Sequence, residues 1–333
     1  MSDSTPPGPG PDGTPPSADG VDGSLHLSDQ IDRERDESEL SELAGQAPVP
    51  RIPAAKKDKL KRKARGIVFW LALGWIGVVV FVAVFANVLP FREPNDIFIT
   101  DKLSTPGQNG YVLGTDGLGR DILSRLAFGA RVSLIISLSA VGIGIVVGGT
   151  LGMMVGYFRG KFELGVMAAI DIILAFPGLI LLLGMVAFVG QSLTAITMVV
   201  GFLSIPVYAR VARGTTLAVA QREYVLAARA MGASNTRILF REIMPNVILP
   251  VAAFGLVALG IIIVLEGSLA FLGLSVQPPD ATWGSMIAEG KRHLSRTTHV
   301  ALMPSLVMFL TVLSVNFVGD SLRSRFDVKE SSL

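Results

Sequence analysis

The chain has 333 residues, half of them hydrophobic and 17% charged, with a mean hydropathy of +0.55. Soluble domains carry about a quarter of their residues charged, so this composition argues against an ordinary soluble enzyme. The absence of cysteine removes disulfides, thiolate metal sites and cysteine nucleophiles. The three histidines, His26, His293 and His299, show no metal-ligand spacing, so no metal site is expected.

Residues 1–50 contain 11 acidic and 2 basic side chains with eight prolines and six glycines. Such a segment buries too little apolar surface to offset chain entropy. Residues 1–55 therefore read as a disordered acidic tail, and 56–66 as a basic juxtamembrane segment. The remainder, 51–333, holds 27 basic and 16 acidic residues. Its first apolar run, Ile67–Leu89, is 23 residues without a charge, about 34 Å as a helix and enough to cross a bilayer core. Further spans are predicted at Val132–Tyr157, Leu164–Val189, Leu193–Ala209, Val247–Leu265 and Val300–Val318. The fold class is thus an all-α integral membrane protein with six transmembrane helices over 67–326, followed by a short tail at 327–333.

The basic cluster from Lys56 to Arg65 places the start of the first span in the cytoplasm, because positive charge stays inside. Six spans then return the C-terminus to the same side. The arginines between Arg210 and Arg241 fall inside too, while Pro90–Arg131 and Phe271–His299 fall outside. Gly144, Gly148, Gly152 and Gly156 stand at spacing four in the second span, a smooth stripe suited to close helix packing. Pro177 and Pro206 predict kinks in the third and fourth spans. Two intramembrane carboxylates stand out. Asp171 is open between a packing partner and a pathway residue. Glu266 ends the predicted fifth span near the outer interface, where water lowers its cost.

No phosphate-binding loop is present: Gly160–Lys161 is followed by Phe162 and Gly290–Lys291 by Arg292. No catalytic residue is expected, and driven transport would draw its energy from a partner or an ion gradient. The connection at about 210–246 carries the clearest local signals. Glu223 suits a helix start, Gly232 a left-handed terminus, Ser234 a second N-cap and Pro245 the entry to the fifth span. Two short surface helices are predicted, with Ala227 and Ala228 as a small-residue contact face.

Ala227-Ala228, three residues, Gly232, twelve residues and Pro245 resemble the EAA loop of ATP-binding-cassette importer permeases. Leu226 stands where that motif has glutamate, and Glu242 where isoleucine is usual. Leu113–Leu126, Phe271–Gly290 and Asn316–Arg323 resemble the C-type permease of dipeptide and oligopeptide importers, in the same order. The resemblance implies a type I importer permease fold and a coupling helix at Glu223, Ala227, Ala228, Gly232 and Pro245. It implies a second permease, two ATPase subunits that bind ATP and Mg, and an extracytoplasmic substrate-binding protein, with no cofactor on this chain. Asp116, Arg120, Asp121, Pro278 and Trp283 are then access-loop or gate candidates, with the Trp283 indole suited to the membrane interface. Nickel, haem, glutathione and antimicrobial peptides are substrates of related importers. The rivals are an ATP-independent secondary transporter or channel, and a membrane scaffold that only recruits partners.

Overall fold

A computed structural model describes the backbone of residues 54–330 and the side chains of 66–323. The acidic tail and the side chains of the basic cluster lie outside these residues. The helical bundle belongs to the unit that spans 61–333. In chain order the helices are α1 (Ala54–Phe85), α2 (Ile122–Phe158), α3 (Gly160–Ala175), α4 (Gly178–Val189), α5 (Leu193–Val219), α6 (Glu223–Ala230), α7 (Asn235–Phe271), α8 (Trp283–Lys291) and α9 (His299–Glu330). Among the described residues five helices are long and apolar enough to cross a membrane, and the bent pair α3–α4 makes a sixth span. Helix α9 runs on to Glu330, past the boundary expected at 326.

Most spans are longer than their uncharged runs, because charges at the ends are satisfied by protein. Helix α2 starts at Ile122 rather than Val132: Asp121 caps it, accepting from the Leu123 N–H at 3.2 Å. It also tolerates Arg131, whose guanidinium donates to Ala83 O at 2.8 Å and Val84 O at 3.3 Å. Those are carbonyls of the last turn of α1, which have no intrahelical donor. At the other end of the bundle α5 continues ten residues past the predicted Ala209 to Val219, and α7 begins at Asn235 rather than Val247.

The glycine stripe packs as expected, and its partner is α5. A Cβ on Gly144 would lie 2.4 Å from the Tyr208 ring, on Gly148 2.5 Å from Ile205 O, on Gly152 2.1 Å from Ala209 O and on Gly156 2.9 Å from Thr216 Cβ. The two backbones therefore touch along three turns. A π-turn at Gly144–Gly148 lies within this contact, where the ring of Tyr208 is wedged against the glycine backbone.

The two prolines behave differently. At Phe176–Pro177 the third span breaks outright, and α3 and α4 meet at 88°. The ring of Pro177 prevents Phe176 from staying helical, and Phe176 is extended at φ −77°, ψ 139°. The kink expected at Pro206 does not interrupt the helix: α5 runs through it. There the neighbouring turn is pressed against Gly148 and Gly152, which holds the helix together across the missing N–H.

Candidate functional site

The connection between α5 and α7 is an elbow rather than a protruding pair of helices. Only residues 220–222 and 231–234 are non-helical, so the predicted second helix is the beginning of α7 itself. Glu223 lies in the first turn of α6, where a carboxylate favours the helix dipole. The C-terminus of α6 is a Schellman motif. Gly232 sits at φ +80°, its N–H donates to Arg229 O at 3.0 Å, and the Ala233 N–H donates to Ala228 O at 3.1 Å. A Cβ on Gly232 would meet no atom within 4 Å, so the backbone conformation alone calls for glycine there. Ser234 then caps α7, accepting from the Arg237 N–H at 3.4 Å.

Pro245 explains the next irregularity. Lacking an N–H, it leaves a carbonyl of the preceding turn without its helical donor, and Ile238–Ile243 form a π-turn in which the Met244 N–H reaches Leu239 O. Tyr157 pins the elbow to the end of α2: its hydroxyl donates to Asn235 Oδ1 at 2.8 Å, and Arg229 lies 5.6 Å from its ring centroid. The expected contact face needs one correction. Ala228 is 8% exposed and packs with Val225 against this chain's own core, whereas Ala227 is open to solvent. The open face is apolar, with Tyr224, Leu226 and the 82% exposed Met231 beside Ala227.

At the opposite end, the residues expected to form an access loop are folded inward. Asp116 accepts from the N–H groups of Leu118 and Arg120 at 2.8 and 3.0 Å and from Arg120 Nε at 2.6 Å. Arg120 also donates to Glu289 Oε2 of α8 at 2.8 Å. Arg125, 1% exposed, lies 3.6 Å from Asp116 and 3.7 Å from Glu289. Gly119 makes the turn possible at φ +84°, where a Cβ would fall 1.9 Å from Phe98 O. Asp121 is buried at the α2 cap, and that burial pushes its carboxyl above the usual range, against the lowering effect of its backbone donors and Arg92.

Trp283 likewise departs from its expected place at the membrane interface. It is buried in protein, its indole N–H donating to Leu126 O at 3.2 Å and its backbone N–H to Ser133 Oγ at 3.3 Å. Of the candidates at this end, Pro278 alone is exposed. Two arginines, two carboxylates and the indole thus clamp α8 onto the start of α2.

Glu266 is also deeper than expected. Helix α7 continues to Phe271, and Glu266 is 1% exposed, accepting from Ser275 Oγ at 2.6 Å. Asp171 is instead half open and pairs with Arg210 of α5 at 2.5 Å. Glu163 pairs with Arg213, whose Nε donates to it at 2.7 Å. Among the described residues no cluster of three or more His, Asp or Glu side chains is placed to hold a metal ion.

These features, a glycine-sealed helix pair, a broken span and a Schellman-capped elbow, fall within or beside a region that matches a known family. Residues 148–330 match the binding-protein-dependent transport system inner membrane component. The chain belongs to that family. The glutathione transport system permease protein GsiD of Pectobacterium atrosepticum is 38% identical over 255 residues, covering 77% of this chain and 85% of the relative. GsiD of Escherichia coli O6:K15:H31 is 35% identical over 292 residues, covering 85% and 96%. Among solved structures, the MetNI methionine ABC transporter in inward-facing conformations aligns over 61% of this chain and 96% of its own, at 18% identity and a TM-score of 0.49. By its family and its apolar helices, the chain is a multi-pass inner-membrane component of a binding-protein-dependent transport system.

Sequence reasoning singled out Asp116, Arg120 and Asp171 in this permease but missed Glu289, Arg125, Glu163 and Arg213 as their companions. Arg125 and Arg131 carried one usable signal: an arginine at the foot of an apolar run must find an acceptor nearby.

Proposed function

We propose that this permease forms one half of a peptide-conducting pore, with a homologous second permease forming the other half. In this reading the elbow docks on one of two ATPase subunits, which bind ATP and Mg and supply the energy. The end carrying Asp116, Arg120 and Glu289 faces an extracytoplasmic substrate-binding protein, and both termini are cytoplasmic. The observation that carries the reading is the elbow: a helix locked at both ends that presents Tyr224, Leu226, Ala227 and Met231 outward. An exposed apolar face on a rigid element marks an interaction site, and this one is continuous with two spans. The basic residues at 56–65 and the arginines around the elbow support the cytoplasmic placement. Di- and oligopeptides are the proposed substrates, from the resemblance of the loop segments. Glutathione, itself a tripeptide, is the second reading, and the names of the GsiD relatives favour it.

The test is purification of the complex and its reconstitution in vesicles with the binding protein. An ATPase should copurify, and ATP should drive uptake of di- and oligopeptides or of glutathione, each offered separately. Gly232→Asp should insert normally yet lose docking, since a side chain at this φ costs about 1 kcal/mol or more. Ala227→Trp should do the same by overfilling the contact. Normal copurification and coupling in both variants would overturn the docking role, and uptake by the permease alone would favour an ATP-independent transporter.

A further inference from the structure

The first half of the broken span, α3, has unusual surroundings for a transmembrane segment, whereas α4 packs through the fully buried Leu182 and Val186. In α3 Ile170 alone is buried, and a Cβ on Gly165 would meet nothing within 4 Å. Apolar packing therefore does little to fix α3 in this chain. Beside the contact of Ile170, what joins it to the bundle is charge: Asp171 to Arg210 at 2.5 Å and Glu163 to Arg213 through Nε at 2.7 Å. Both arginines lie on α5, three positions apart and so on one face. The opposite constraint on α5 is the backbone-tight contact with the glycines of α2. Helix α5 is thus welded on one side and holds α3 by two ionic contacts on the other, before leading through residues 220–222 into the elbow.

The exposure of these groups fixes what they face. Asp171 and Arg210 keep 61% and 51% of their side-chain surface open, although Leu164 and Ile172 on the same helix are exposed and apolar. Ions in a span do not face lipid; they face a water-filled cavity or protein. A pair open to water is weak and exchangeable, and a guanidinium on a long, flexible stem can follow a moving carboxylate. These are properties of a latch rather than a weld.

We propose that Asp171–Arg210 and Glu163–Arg213 are positioning contacts that make the broken span follow α5, so that movement of the elbow is converted into movement of the break at Pro177. The proposal rests on the importer reading, since it needs a partner that drives the elbow. Without the latch, hydrolysis continues while substrate movement lapses.

The test uses the assembled complex carrying Asp171→Arg, Arg210→Asp or both. Each single reversal should lower substrate imported per ATP hydrolysed by about tenfold, and the double reversal should restore it to within about threefold, as expected of groups that act as a pair. ATPase copurification and membrane level should stay normal throughout. Singles with the wild-type ratio, or a double no better than the singles, would overturn the proposal.

Because the chain lacks cysteine, spin labels at Leu164→Cys and Val207→Cys report the α3–α5 distance without background from this subunit. That distribution should broaden in Asp171→Asn and narrow again in the double reversal; an unchanged distribution overturns the latch even if a reversal variant fails to assemble. A wild-type chain with no ATPase partner sinks the importer reading instead, and the label distances then test the tie in the isolated permease.

Discussion

The second and third spans look alike in sequence, both long, apolar and glycine-bearing, yet they sit in the bundle in opposite ways. Gly144, Gly148, Gly152 and Gly156 of α2 are where α5 arrives, so each of these four missing side chains is filled by a neighbour. Gly165 of α3 and Gly184 of α4 have open space where a Cβ would go. The first arrangement makes α2 and α5 one body. The second leaves α3 with most of its apolar surface uncovered and two ion pairs to help set its position, while α4 is anchored by the buried Leu182 and Val186. The difference teaches that a glycine in a membrane helix has no meaning until its neighbours are known: the spacing-four stripe of α2 marks a seam, whereas Gly165 and Gly184 do not.

The largest expected effect probes the sealed side at its most polar point. Asp116→Ala leaves Arg120 and Arg125 buried and short of a carboxylate, and should cost about 3–5 kcal/mol, read as a loss of thermal stability in the purified complex. If the melt is unchanged, the clamp on α8 is not what holds that end together. Next comes Gly152→Ala, which sets a methyl group 2.1 Å from Ala209 O. Forcing the two backbones apart should cost about 1–3 kcal/mol, measured the same way. The smallest effect belongs to Gly165→Ala, where nothing obstructs the methyl group and helix propensity gains about 0.5–1 kcal/mol. An equal penalty at Gly152 and Gly165 would erase the contrast between the two spans.

What could be read in advance follows the range of each interaction. The stripe, the left-handed Gly232, the Ser234 cap and the break at Pro177 are written in neighbouring residues, and local sterics decide them. Burial of Arg120 and Trp283 is decided by Glu289 and Leu126, 169 and 157 positions away. No pattern within a loop reveals such a partner, so a buried clamp resembled a solvent-facing turn. Span ends were misplaced for the same reason. Hydropathy stops at the first charge, while the helix continues wherever that charge finds an acceptor, as Arg131 does on α1 and Arg210 on Asp171. Ala227 and Ala228 share a helix but not a face, because two adjacent residues lie about 100° apart around the axis.

Helix α7 carries a mechanical consequence. From Asn235 to Phe271 it is one rod of 37 residues, about 55 Å long. Neighbours grip it near Gly255, against Ile145 and Val141, and near Gly260, against Asn316. A rod held there is a lever, and its longer arm ends at the elbow. Pushing that end one way would swing the Glu266 end, together with the α8 backbone packed on Gly267, the other way through a shorter arc. In the proposed importer reading, opposite displacements at the two ends of α7 would require no signal passed between them, only a fulcrum.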